Sequence, residues 1–257
     1  MELYSLKSKV ALITGVSRKQ GLGAAIALEL AQAGADIFTT FYRPYDVTMP
    51  WGSNISEAEE ILGQLRAWGV RADGLELDLA DSCNPSLLFD RVEQSLGPVD
   101  ILVNNAAYSE RDGIDNLDAA LLDRHYAINV RATVLLCAEF VRRFIHGIEG
   151  RIINLSSGQG VGPMPGELAY AATKGAVEAF TISLSAELAS RSITVNAIDP
   201  GATDTGWMSP EFKKTLQANA PMGRIGLPTD AARLARFLAS AEAGWITGQI
   251  IHSRGGM

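Results

Sequence analysis

The sequence predicts a doubly wound α/β fold: one domain, residues 1–257, in which a parallel β-sheet carries helices on both faces. Three observations predict it. Short apolar runs rich in β-branched residues alternate with amphipathic helical stretches along the chain. The first unit reads strand, glycine turn, helix, as a crossover between parallel strands does. No Pro/Gly/Ser linker or run of charge divides the chain.

Taken in order, Val10-Ala11-Leu12-Ile13-Thr14 is the first strand, apolar almost throughout, as a strand covered on both faces must be. Gly15 follows, and from Gly21 a helix begins with Leu22, Ile26, Leu30 and Ala33 on one side. Gly15, Gly21 and Gly23 sit where a dinucleotide-binding turn needs them: a tight bend, a close backbone approach to pyrophosphate, and a helix N-terminus aimed at phosphate. Asp36–Phe41 is the second strand. An acid at the end of this strand binds the adenosine ribose hydroxyls, whereas its absence beside an arginine accommodates a 2′-phosphate. Here the end reads Phe41-Tyr42-Arg43, Asp36 stands at the wrong end, and Arg18 and Lys19 lie in the glycine loop. NADP(H) is therefore favoured and NAD(H) remains possible; the alternative is that these cations are solvated loop charges.

The segment Pro44 to Asn54 is long for a turn and is expected to fold over the adenosine end or to pack at an edge. Ser56 and Glu59 have capping-box spacing for a helix ending near Gly69. A third strand closes on Leu75-Glu76-Leu77-Asp78-Leu79, where Asp78 is a candidate partner for the adenine amino group. A helix from about Pro85 to Leu96 leads to strand Val99–Val103, which runs into Asn104-Asn105-Ala106. One long helical stretch spans Leu117 to about Ile145 and is interrupted at Ile128-Asn129-Val130. An Asn so placed is either a capped irregularity or a buried amide with a task. The fifth strand ends at Ser156-Ser157, hydroxyls that either close the strand or face a ligand at its carboxyl end. Ile193–Ile198 is the sixth strand, ending at Asp199-Pro200-Gly201, and Gly248–Ile251 is the last.

Between these two groups a helix runs from Leu168 to about Ser190. Tyr170 and Lys174 are four positions apart on it, so they project side by side about 6 Å apart along the axis. A phenol of ordinary pKa near ~10 exchanges protons near neutrality only if its anion is stabilised, and an adjacent ammonium does that. The same spacing also suits a plain surface pair.

Charge and composition exclude other classes. A net charge of -7 and a pI of about 5.0 argue against nucleic acid or an anionic membrane as partner, since both reward clustered Lys and Arg. Cys83 and Cys137 have neither CxxC spacing nor neighbouring His, so no metal site is expected and a reducing compartment is. No stretch approaches the ~20 apolar residues of a membrane span, and the N-terminal run is too short for a signal sequence, so a cytoplasmic protein is expected.

Together, Thr14-Gly15 through Gly21-Leu22-Gly23, Asp78, Asn104-Asn105-Ala106, Asn129, Ser157, Tyr170-x-x-x-Lys174, Pro200-Gly201 and Thr205 resemble a short-chain dehydrogenase/reductase over nearly the full length. Ser157 precedes Tyr170 by the thirteen positions common in that family. The phrases Pro221–Gly226 and Ile246–Gln249 look like those of 3-oxoacyl-(acyl-carrier-protein) reductases. The resemblance implies a Rossmann-type fold and hydride transfer between nicotinamide and a carbonyl or secondary alcohol, such as a 3-oxoacyl thioester or similar ketone. Tyr170 would be the general acid or base, Lys174 would tune it and hold ribose, Ser157 would polarise the carbonyl, and Asn129 would anchor a water of a proton relay. Gly15, Ser17, Arg18, Gly21, Leu22, Gly23, Arg43, Asp78, Leu79, Asn105, Ala106, Pro200, Gly201, Thr203 and Thr205 would join Tyr170 and Lys174 in holding the cofactor. A homotetramer or homodimer built on the long helices is also implied. The alternatives are a catalytically silent NADP(H)-binding regulator and an NAD-dependent alcohol or sugar dehydrogenase of the same family.

Three features depart from the usual pattern. Five residues separate Gly15 from Gly21 where three are usual, which moves toward the related enoyl reductases, although the Tyr-to-Lys interval is that of ketone reductases. Arg254 stands where an acid or amide is common and is expected to bear on assembly or local packing. The Pro44 to Asn54 segment is the third. The substrate pocket is expected from Gly158 to Gly166 and from Trp207, Met208 and Phe212, its apolar content suiting a moderately hydrophobic carbonyl compound. An anionic carrier protein would need a basic patch from Arg131, Arg142 and Arg143.

Overall fold

β1 (Val10–Ile13) is buried at every position and splits its side chains between two cores, Ala11 and Ile13 to one, Val10 and Leu12 to the other. That is why its sequence is apolar without alternation: both faces of the strand are covered. The computed structural model describes residues 4–144 and 149–256. β1 lies near the centre of a seven-stranded parallel sheet of order β3-β2-β1-β4-β5-β6-β7, formed with β2 (Asp36–Phe41), β3 (Ala72–Glu76), β4 (Ile101–Asn104), β5 (Gly150–Leu155), β6 (Ile193–Asp199) and β7 (Ile250–His252). Ala11 pairs with Ile37 on one side and Ile101 on the other, so the strand order reverses at the β1/β4 boundary.

Helices α1 (Leu22–Gln32) and α3 (Glu57–Arg66) cover one face, together with α9 (Pro228–Ala239), through Ile26, Leu30, Ile61, Leu65, Ala235 and Leu238. The other face is covered by α4 (Asn84–Ser95), α6 (Thr133–Arg143) and α7 (Leu168–Leu188), with Leu88, Phe89, Leu136, Phe140 and Leu188 packed on Leu12, Leu102 and Val195. Burying such a side chain contributes about 1.5–3 kcal/mol, so these two apolar layers hold the three-layer sandwich together.

Several elements differ from expectation. β3 stops at Glu76, because Asp78 turns the chain by accepting from Ala80 N at 2.8 Å. The segment after β2 is not irregular from its start: Arg43–Val47 forms a short helix, α2, with Pro44 in its first turn, where a missing N–H costs nothing. The capping box fails. Ser56 already has helical backbone angles, and its hydroxyl goes to Glu60 and Asn54. The long stretch from Leu117 divides into α5 (Ala119–Tyr126), a π-helical segment Ala127–Ala132, and α6. The widened turn falls on the expected Ile128-Asn129-Val130 interruption; the expected end near Ile145 lies outside the described residues. α8 (Pro210–Ala218) and α9 were not anticipated. Among the described residues no helix is long and apolar enough to cross a membrane.

Candidate active site

The carboxyl ends of β1, β4, β5 and β6 meet at one cleft, the place where open α/β sheets bind ligands. Thr14, 1% exposed at the end of β1, stitches the strand-order reversal: its hydroxyl accepts from the amides of Asn105 (3.1 Å) and Ala106 (3.0 Å). Asn105 answers with its amide nitrogen on Thr14 O (2.8 Å) and Gly15 O (3.0 Å). Gly15 has φ +73°, and a Cβ there would stand 2.7 Å from Ala106 Cα. At Gly23 a Cβ would meet Gly15 O at 2.6 Å. Both glycines are therefore required by close backbone approach, and Gly15 by its conformation as well.

A cavity of about 600 Å³ opens over this turn, lined by Gly15, Ser17, Arg18, Gly21, Leu22, Gly23, Asp78, Leu79, Asn105 and Ala106, with Tyr170 and Thr205 at its end. The residues present fit a dinucleotide. α1 begins at Gly21 with no side-chain cap and no acid in its first turn, so its amides offer a positive end to a pyrophosphate. A second cavity of about 1130 Å³ continues from it, walled by Ser157, Lys174, Pro200, Gly201 and Thr203, and sharing Leu22, Asn105, Tyr170 and Thr205. Gly158, Pro163, Met164, Trp207 and Phe212 line this second cavity as expected, whereas Met208 is not among its walls.

Tyr170 belongs to both cavities, at the junction between them. The start of α7 holds it there. Asp112, distant in sequence and 9% exposed, accepts from the amides of Leu168 (2.6 Å) and Ala169 (2.7 Å) and so caps the helix from outside. Ser157 and Tyr170 wall the same second cavity, and Lys174 Nζ donates to Leu155 O at 2.7 Å. The electrostatics differ from the expectation of a phenol held acidic by its neighbour. Lys174 Nζ lies 5.5 Å from the centroid of the Tyr170 ring. Burial pushes the phenol well above its ordinary value, Glu167 pushes the same way, and the Ser157 hydroxyl offsets only part. Burial also draws Lys174 down from 10.5 to about 8.

Asn129 lies in the π-helical segment, 1% exposed, and its amide is fully used. Oδ1 accepts from Tyr108 N (2.7 Å), and Nδ2 donates to Tyr108 O (2.9 Å) and Thr173 Oγ1 (3.0 Å). The side chain is thus a brace between the loop after β4 and α7. Its backbone carbonyl accepts from Thr133 Oγ1 at 2.9 Å.

Two other expected residues are engaged elsewhere. Arg43 lies outside both cavity walls, its Nε 3.0 Å from each oxygen of Glu76. Arg18 does line the first cavity, but it donates to Thr205 O at 2.8 Å and stacks on Trp51. The basic patch does not form: Arg142 pairs with Glu139, Arg143 with Asp90, Glu93 and Glu139, and Arg131 donates to Ala80 O. Arg254, expected to bear on assembly or local packing, packs locally and also faces the cleft. It lines the second cavity beneath Gly158 and Gly201 and pairs at 3.0 Å with Asp199, a fully buried carboxylate that also takes His252 at 2.9 Å.

The Pro44 to Asn54 segment takes the first of its two expected places, with Pro44, Tyr45, Asp46, Thr48 and Trp51 walling the first cavity, but sequence reasoning singled out neither Tyr45 nor Trp51 in it and missed Tyr108 and Ser109. The signal available for Tyr45 and Trp51 was the presence of two large aromatics in a segment otherwise read as a turn. Among the described residues no group of three or more His, Cys, Asp or Glu could hold a metal ion.

The family described as enoyl-(acyl carrier protein) reductase matches residues 15–257. The chain is 50% identical over 252 residues to the uncharacterized oxidoreductase YjdA of Bacillus subtilis (strain 168), covering 97% of each. It is 34% identical over 253 residues to the 3-oxoacyl-(acyl-carrier-protein) reductase FabG of Staphylococcus aureus, covering 97% of this chain and 98% of that one. Among solved structures it is similar to a short chain dehydrogenase from Burkholderia cenocepacia J2315 in complex with NADP, with TM-score 0.87, 32% identity and 98% of each chain covered. A dehydrogenase/reductase from Sinorhizobium meliloti 1021 superposes with TM-score 0.88 at 30% identity, covering 98% of this chain and 96% of the other. With a parallel sheet reversing at a glycine turn and these likenesses over almost the whole length, the chain belongs to the short-chain dehydrogenase/reductase family and is an NAD(P)-dependent oxidoreductase.

Proposed function

We propose that the protein is an NADPH-dependent carbonyl reductase acting on a 3-oxoacyl thioester or a similar ketone, with Tyr170 as the acid. The observation that carries the reading is the placement of Tyr170 at the junction of the two cavities, with Ser157 and Lys174 walling the second beside it. When bound, the nicotinamide cofactor supplies the hydride. The first cavity, with its glycine turn and uncapped helix, is suited to its phosphates, and the second to the carbonyl compound.

The chain's own residues would divide the remaining work. Ser157 Oγ hydrogen-bonds the substrate oxygen and stabilises the charge that develops there. Tyr170 gives its hydroxyl proton to that oxygen. The phenol is protonated at neutral pH, the form a reductase starts from, and because burial raises it the anion formed on transfer has to be stabilised by Ser157 and Lys174. Lys174, held by Leu155 O, contributes a buried cation to the field and a donor for ribose. Asn129 braces the loop of Tyr108 against α7, and through that brace it would order the water of the relay.

NADP(H) is favoured over NAD(H) because β2 ends without an acid, at Phe41-Tyr42. Arg43, its side chain about a third exposed (35%), is the cation able to exchange Glu76 for a 2′-phosphate. Assembly as a homotetramer or homodimer is part of the same proposal. α5 leaves Leu122 and Tyr126 exposed by 40% and 54%, and α7 leaves Ile182 exposed by 53%. Light scattering that finds only monomer at micromolar concentration removes that part.

The test is NADPH oxidation against a panel of 3-oxo esters, 3-oxoacyl thioesters and other ketones, with an enoyl thioester included. Tyr170→Phe should lower turnover by roughly 10²–10⁴-fold while leaving the NADPH dissociation constant nearly unchanged. Equal activity in that variant, or reduction of the enoyl thioester alone, overturns the reading.

A further inference from the structure

The widened glycine loop and the long segment after β2 are each other's partners. The Arg18 guanidinium sits 4.1 Å from the centroid of Trp51, and its Nε is 4.0 Å from Asp46 Oδ1. Asp46 is itself 5% exposed and accepts from Trp51 Nε1 at 3.0 Å, so indole and carboxylate form one rigid seat for the cation. From that seat Arg18 Nη1 reaches across to Thr205 O at 2.8 Å, in the loop that follows β6. The neighbouring residues repeat the pattern. The Lys19 amide donates to Glu57 Oε1 at 2.6 Å and its ammonium pairs with Glu60, while Gln20 lies against Gly206, where a Cβ would come within 2.9 Å of Gln20 Oε1.

An arginine that reads a 2′-phosphate needs its donor edge or its planar face turned to the ligand. Here one face lies on indole, Nε stands 4.0 Å from a buried carboxylate, and Nη1 is spent on a carbonyl. We propose that Arg18 is a clasp, a positioning residue that ties residues 43–51 to residues 203–206 across the mouth of the cleft and takes no part in discriminating NADPH from NADH. Tyr45 and Trp51 on one side and Thr205 and Trp207 on the other are walls of the second cavity, so the clasp sets the width between them. The consequence for nucleotide choice rests on the functional reading above; the mechanical coupling does not.

The experiment is hydrogen exchange on the whole protein without nucleotide, followed by titration with NADPH and with NADH. The amides of Asp204, Thr205 and Gly206 report the far side, being bonded to Gly226 O, Thr203 O and Asp204 Oδ1. Arg18→Met should quicken exchange in both segments by about three- to tenfold, the size of one stacked and hydrogen-bonded cation. Trp51→Ala should quicken the 203–206 amides as well, because Trp51 is tied to them through Arg18, and Trp51→Phe, which keeps an aromatic face, should restore them. In Arg18→Met the two dissociation constants should change by the same factor. Unchanged 203–206 exchange in Trp51→Ala overturns the clasp. So does an Arg18→Met variant that loses about tenfold or more for NADPH and nothing for NADH. A chain that binds neither nucleotide would sink the functional reading, and the exchange rates would then decide the clasp alone.

Discussion

Replacing Lys174 by Met should make the cofactor-free protein more stable at neutral pH. Lys174 is 3% exposed, its Nζ donates to Leu155 O, and burial is the sole cause that draws its pKa from 10.5 to about 8. Between those values the unfolded chain binds the proton and the folded chain does not, so stability rises with pH through that window. Below about pH 8 the folded protein bears the whole cost of a buried ammonium, roughly 3 kcal/mol for a displacement of this size. Met keeps the length and removes the charge, but it leaves Leu155 O without its donor, a loss of about 1 kcal/mol. The net gain at pH 7 is about 2 kcal/mol, which for a chain of this length raises Tm by about 4–8 °C. Above about pH 10.5 the charge penalty is gone and only the lost hydrogen bond remains, so the order of the two proteins should reverse. Scanning calorimetry of both proteins from about pH 6.5 to about pH 11 measures this directly. A variant less stable than the parent at pH 7, or a gap that does not shrink as pH rises, refutes the reasoning. On the proposed function, in which Lys174 supports Tyr170, the same variant should also lose turnover.

Asp112→Ala removes the outside cap of α7 and should cost about 1–2 kcal/mol in denaturant unfolding, with a fall in kcat larger than the change in NADPH affinity, because Tyr170 lies in the first turn it holds. A variant with parental stability would mean that α7 is anchored by its packing alone. Glu76→Gln leaves Arg43 without its carboxylate and should shift the ratio of NADPH to NADH affinity toward NADPH by roughly three- to tenfold. An unchanged ratio in paired titrations would place the 2′-phosphate away from Arg43.

Much of this molecule was legible in one dimension because its signals are local. The apolar runs of β1, β4, β5 and β6 specify a covered parallel sheet, since a strand buried on both faces can carry no alternation. Gly15 and Gly23 mark a turn that excludes a Cβ, and Tyr170 and Lys174 mark one helical face, so these positions were readable from neighbours along the chain. What only the tertiary structure decided is where charges end up. Arg18 and Arg43 look alike in sequence as free cations, yet one is seated between Trp51 and Asp46 and the other on Glu76, partners brought by separate elements. The pKa of Tyr170 is set by how much water folding removes, and no spacing along a helix contains that quantity. Asp112 caps a helix from far earlier in the chain, and Arg254 lies beneath the cleft from its C-terminal end, for the same reason. Periodicity and turn chemistry act within a few residues, whereas desolvation and ion pairing depend on which surfaces are pressed together, and that is known only once the sheet has closed around its two cores.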